Sequence, residues 1–208
     1  MLKRAMTLIE LLIAITLLAV IVVGASSFDV GSREMLKASE RKTQILNEAA
    51  LVLDYITKDG LHGIGDVYNP ALRIVNAGGV NYLLIKTDST TAGTRGVRDP
   101  DNVDLVVGYA RIGNQIIRCA DYVNNAGNFV ILSERAVDPI ASPAPNNLEG
   151  FDIPAAIGNV NTAHVIVRLR YHPVADPQNP GITGRYDAFN NPQVTAETDI
   201  EVPAQSLN

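Results

Sequence analysis

An almost unbroken apolar run, Met6 to Ala25, opens the chain, with Thr7, Glu10 and Thr16 as its polar positions. At about 20 residues it is long enough to cross the ~30 Å hydrocarbon layer of a membrane as a helix. The pattern then turns amphipathic. Met35, Ala38, Ile45, Ala49, Val52 and Ile56 recur at helical spacing, and Leu36, Leu46, Ala50 and Leu53 widen the stripe, while Glu40, Arg41, Lys42, Asn47 and Glu48 lie mostly off it. No Pro occurs before Pro70 and no Gly between Gly31 and Gly60. The two patterns predict one helix from Met6 to about Lys58, roughly 80 Å long. Gly24, Ser26, Ser27 and Gly31 are its places to bend, and Gly60 is its expected stop. The stripe is too short for an independent coiled coil, so its second half is predicted to pack on a head.

Beyond Gly60 the period shortens, and alternating or short apolar runs are separated by turn residues. Strands are predicted over Asn81–Thr87, Val103–Ala110, Gln115–Ala120, Asn128–Ser133, Ala163–Tyr171 and Val194–Val202. Arg111-Ile112-Gly113-Asn114 reads as a hairpin connection. In His164–Tyr171, Val165, Val167 and Leu169 fall on one face and Ile166, Arg168 and Arg170 on the other. The simplest architecture is α+β, a one-sided antiparallel sheet covered by the long helix. Long loops rich in Pro, Gly, Asn and Asp (88–102, 138–161 and 173–192) complete the head.

Charge fixes a direction for the apolar run. Lys3 and Arg4 precede it without an acid, and the first charge after it is Asp29, so the near flanks favour a cytoplasmic N-terminus with the head outside. A cleaved secretory signal competes with this reading, because Val23-Gly24-Ala25 before Ser26 is an acceptable cleavage site, and so does a plain signal anchor. Glu10 argues against both. A carboxylate inside an apolar span costs about 2.5–3.5 kcal/mol at the helix centre and less near an end, and such a residue ordinarily marks function with a partner.

Ala5-Met6-Thr7-Leu8-Ile9-Glu10-Leu11-Leu12 behind a short basic leader resembles the processing site of type IV pilins and type II secretion pseudopilins. The resemblance implies a pilin-like layout: residues 1–5 as leader peptide, 6–25 as transmembrane and assembly helix, 26–59 as its amphipathic continuation, and 60–208 as a β-rich head. It implies that a prepilin peptidase cuts between Ala5 and Met6 and methylates the new amine, with Lys3 and Arg4 as the leader charge. It also implies that Glu10 meets the terminal amine of a neighbouring subunit during assembly. Where the family ordinarily has Gly before the cut and Phe after it, this chain has Ala5 and Met6. The implied partners are other pilin or pseudopilin subunits, the peptidase and an inner-membrane assembly machinery. The implied location is single-pass in the inner membrane before assembly, then a filament with the head periplasmic or extracellular. The order of strands resembles larger minor or tip subunits. The rival reading is an anchored or secreted binding module that never polymerises.

Composition narrows the remaining chemistry. The net charge of −5 over 208 residues supplies no general cationic field for nucleic acid. Arg33, Lys37, Arg41 and Lys42 are interleaved with Glu34 and Glu40, as on a solvated helix face. Cys119 is the single cysteine, which excludes an intramolecular disulfide and reads as a buried thiol. His62, His164 and His172 are scattered, and no catalytic motif accompanies them, so no enzyme and no cofactor are expected. Asp99, Asp101 and Asp104 form the densest acidic cluster, a solvated turn by default and the one place whose oxygen ligands would suit calcium. Gly63-Ile64-Gly65 reads as a flexible connection after the helix.

Overall fold

In a computed structural model, residues 7–65, 71–87, 105–125, 127–137, 151–152, 158–160, 162–175, 178 and 184–201 are described. The apolar run and the amphipathic stripe join in one uninterrupted helix, α1 (Leu8–Leu61, 54 residues). It passes Gly24 and Gly31 without a break, and the Ser26 and Ser27 hydroxyls donate back to the carbonyls of Val22 and Val23, each at 2.9 Å. Gly60 is not the stop. The helix runs one residue further, and His62 caps it with its N–H directed to the Lys58 and Asp59 carbonyls at 3.3 and 3.1 Å. Gly60 serves close packing instead: a Cβ there would lie 2.3 Å from Cγ2 of Ile200.

The predicted stripe is buried only in its second half. Ile45, Ala49, Val52 and Ile56 are fully buried, whereas Met35 and Leu36 remain 64% and 63% exposed, and the head is already in contact with the helix at Arg41. There the Arg41 guanidinium donates to the Asn190 carbonyl at 2.7 Å and lies 5.3 Å from the Tyr171 ring centroid, so this residue leaves the solvated face that its neighbours occupy. Arg33 pairs with Asp29 and Lys37 with Glu34 in the open, as expected.

Among the described residues the head forms two sheets rather than one. The first orders its strands β5-β4-β3-β2-β1-β7, from β1 (Leu72–Ala77), β2 (Val80–Thr87), β3 (Leu105–Ile112), β4 (Gln115–Cys119), β5 (Phe129–Ser133) and β7 (Gly158–Val160), all antiparallel. The second is β6-β8-β9, from β6 (Phe151–Asp152), β8 (Thr162–Arg170) and β9 (Gln193–Glu201), also antiparallel. A one-turn helix, α2 (Tyr122–Asn125), joins β4 to β5. The helix α1 lies chiefly along β9, with smaller contacts to β8, β5 and β2. Inward residues of both sheets, among them Leu72, Leu83, Ile85 and Ile116 from the first and Val165, Val167, Leu169 and Ile200 from the second, share one apolar cluster with the α1 stripe. That common burial is the main stabilising contribution, at about 1.5–3 kcal/mol for each large side chain removed from water.

Residues 135–137 stitch the sheets together: Arg170 N–H donates to the Arg135 carbonyl at 2.9 Å, and Val137 N–H to the Arg168 carbonyl at 3.2 Å. Strand β1 was not predicted. It pairs with β2 through a two-residue turn at Gly78-Gly79, both at positive φ (62° and 83°), a combination that favours glycine and matches the twist of a hairpin. The Gly63-Ile64-Gly65 connection is packed rather than flexible, because Ile64 is fully buried and its N–H donates to the Lys86 carbonyl at 2.9 Å.

Candidate functional site

The first turn of α1 is built on a capping box. Thr7 is the N-cap, and its Oγ1 accepts from Glu10 N–H at 3.4 Å. The Glu10 carboxylate reaches back, its Oε2 accepting from Thr7 N–H at 2.8 Å and from the Thr7 hydroxyl at 2.9 Å. Two backbone donors that the helix leaves orphaned at its start are thereby satisfied. The other carboxylate oxygen, Oε1, accepts from no described residue.

From Leu8 to Val23 every large apolar side chain is 51–82% exposed, and the head buries none of this segment. Its hydroxyls are turned inward on the helix, with Thr16 donating to the Ile13 carbonyl at 2.9 Å as Ser26 and Ser27 do further along. Glu10 is the one ionisable residue between Leu8 and Phe28. Such a surface, apolar on all sides with its hydroxyls satisfied on the helix itself, is suited to lipid or to the apolar flanks of other helices. By length and composition the segment can span a membrane.

Residues 1–26 match the model of the prokaryotic N-terminal methylation motif. The chain carries the prepilin-type motif of type IV pilins and pseudopilins. No curated protein and no solved structure matches the chain. The match ends at Ser26, within the exposed part of α1 and well before the buried stripe that begins at Ile45.

Of the residues predicted to act in the prepilin-type segment, the structure describes Glu10, at the start of the helix. Lys3, Arg4, Ala5 and Met6 lie outside the described residues, as do Asp99, Asp101 and Asp104. Among the described residues, no group of three or more His, Cys, Asp or Glu side chains is placed to hold a metal. The histidines are apart from one another. His62 caps α1, His172 stands edge-on to Tyr171 at 4.6 Å between ring centroids, and His164 pairs with Asp199 across β8 and β9.

Thr7 was missed as a partner for Glu10. The signal was present in the residues, since Thr7-Leu8-Ile9-Glu10 ahead of an apolar run is the Thr-x-x-Glu spacing of a capping box.

Proposed function

We propose that the chain is a pilin-like structural subunit, processed by a prepilin peptidase between Ala5 and Met6, and assembled through the exposed half of α1 into a type IV pilus or a type II secretion pseudopilus. One observation carries this reading: the bare apolar half of the helix holds a lone carboxylate at its first turn, inside the methylation motif, while the other half is fixed in the head. In the free subunit Glu10 is curled back on Thr7. Assembly would bring its unused oxygen to the N-methylated amine of a neighbour, and in low dielectric an ammonium and a carboxylate offset a desolvation cost that each would bear alone.

On this reading residues 6–25 anchor the subunit in the inner membrane before assembly, 26–59 carry the helix into the head, and residues 60–208 lie in the periplasm or outside the cell. The partners are other pilin or pseudopilin subunits, the peptidase and the inner-membrane assembly machinery. Placement as a minor or tip component is the finer part of the proposal and rests on the resemblance in strand order. Asp99, Asp101 and Asp104 are retained as the place to test for calcium. No catalytic residue is assigned.

Mass spectrometry of the mature N-terminus tests the reading. N-methyl-Met at residue 6 is expected, and Ser26 as first residue would overturn it in favour of ordinary secretion. Glu10→Val should leave membrane insertion intact and weaken incorporation into filaments; unchanged incorporation would remove the role given to Glu10.

A further inference from the structure

Beyond the apolar run, α1 presents three faces. Ile45, Ala49, Val52 and Ile56 lie on the face that the head buries. Asp29, Arg33, Lys37 and Glu40 follow one another at helical steps on a second face, which carries charge at every turn. The third runs through Phe28, Ser32, Met35, Ser39, Thr43 and Leu46, again at steps of three and four, and none of its positions is charged. At 3.6 residues per turn it is rotated by roughly 120° from the buried stripe.

This third face is uncovered where it is most apolar. Phe28, Met35 and Leu46 are 78%, 64% and 44% exposed. Between them stand the short side chains of Ser32, Ser39 and Thr43, and Thr43 turns its hydroxyl back to the Ser39 carbonyl at 2.9 Å. Large apolar residues alternating with small ones let the backbone of a second helix approach closely and fill the space beside it. Lipid is a poor cover, because Asp29, Arg33, Lys37 and Glu40 stand at the same height on the neighbouring face and would enter the hydrocarbon with it.

The chain itself carries a surface that fits. Leu8–Val23 is helical, apolar on all sides and left bare by the head. Phe28 to Leu46 measures roughly 27 Å along the axis and Leu8 to Val23 roughly 23 Å, so the uncharged face can cover the whole apolar segment. We propose that the uncharged face of α1 receives the segment Leu8–Val23 of a second copy, shifted along the axis by about 20 residues, roughly 30 Å. This contact rests on the assembly reading and gives it a face and a direction. The neighbour involved is not the one whose amine meets Glu10, because that pairing needs a shift of only about four residues, from Met6 to Glu10. The two surfaces in contact differ, so each copy offers one and receives at the other, and the contact repeats along an axis instead of closing on itself. A segment drawn out of lipid thereby regains apolar cover while the charged face stays in water.

The test uses the full chain in cells that assemble it. A benzophenone amino acid in place of Ser39 should, on irradiation of filaments, give a dimer cross-linked to a residue between Leu8 and Val23, and the same probe in place of Lys37 should not reach that segment. Ser39→Glu should lower incorporation into filaments by about tenfold or more, as expected for an unpaired charge buried in an apolar contact, with N-methyl-Met at residue 6 and the melting temperature unchanged. Lys37→Glu, on the charged face, should incorporate as the wild type does. An N-methylated chain in which Ser39→Glu incorporates normally, in which both substitutions cost the same, or in which the Ser39 probe reaches other residues only, would overturn the contact and leave the assembly reading standing. A wild-type chain that begins at Ser26 would overturn both.

Discussion

Asp59, in the last turn of α1, accepts two hydrogen bonds from the Arg118 guanidinium of β4, from Nε at 2.8 Å and from Nη2 at 3.1 Å. The fully buried Tyr109 donates its hydroxyl to the same carboxylate, and Arg118 Nε also reaches that hydroxyl at 3.1 Å. Burial, then the neighbouring carboxylate, raises the Tyr109 pKa, so its hydroxyl keeps the proton and remains a donor. The end of the helix that leads out of the membrane segment is thus clamped to the first sheet while its flank rests on the second.

Removing one partner of this largely buried set leaves an uncompensated charge. Asp59→Ala is expected to destabilise the protein by roughly 2–4 kcal/mol, and the double variant with Arg118→Ala by clearly less than the sum of the single effects. Urea unfolding of the four proteins of this cycle, followed by head-domain circular dichroism, measures it. Additive costs would show that the two side chains are not coupled.

Gly60→Ala should behave unlike an ordinary helix substitution. Ala has the better helix propensity by about 1 kcal/mol, but the added methyl would overlap Cγ2 of Ile200, and overpacking of a filled core costs about 1–3 kcal/mol. A lower melting temperature is expected in the wild-type background. In an Ile200→Ala background, where the colliding methyl is absent, the same change should be neutral or stabilising.

His164 bonds to Asp199 at 2.6 Å between Nδ1 and Oδ1 and lies 3.4 Å from Glu197 through Nε2. The bond to Asp199, ahead of the charges of both acids, raises its pKa above the ordinary 6.5. A raised folded-state pKa means that the folded chain holds the proton more tightly than the unfolded one. The contribution is therefore fully present below about pH 6.5 and fades as the pH rises through the folded value. A histidine NMR titration should place His164 above its ordinary value, and Asp199→Asn should bring it down; a His164 that titrates unchanged in that variant would disprove the coupling.

Cys119 is 1% exposed, and its thiol donates to the Asn125 carbonyl at 3.4 Å. An aromatic disulfide reagent should therefore modify it only on unfolding, with a rate that tracks the unfolding transition in denaturant. Rapid, stoichiometric reaction in native buffer would contradict its placement.

Periodicity made α1 and most of the head strands legible, because burial on one face leaves a mark in every turn or every second residue. Ile45, Ala49, Val52 and Ile56 are buried as their spacing required, and Val165, Val167 and Leu169 face inward together. The division into two sheets left no such mark. An alternating strand declares which side is apolar but not which strand lies beside it, and β8 and β9, separated in sequence by residues 171–192, pair with each other instead of extending the first sheet. β1 is short and carries Arg73 and Asn76 among its apolar residues, so its best signal was the Gly78-Gly79 dipeptide rather than its own pattern. At the helix start Glu10 stood out because a charge in an apolar run is rare, whereas Thr7 passed as ordinary until its bonds were seen.

The unbroken course of α1 has a mechanical consequence. A pull on the membrane half travels along the helix axis and loads Ile45, Ala49, Val52, Ile56 and the Asp59 clamp in shear, all at once, against β8, β9 and β4. Contacts loaded in parallel must yield together rather than peel in turn. The head should consequently resist extraction by its tail far better than it resists heat or denaturant, a difference that single-molecule force spectroscopy can resolve.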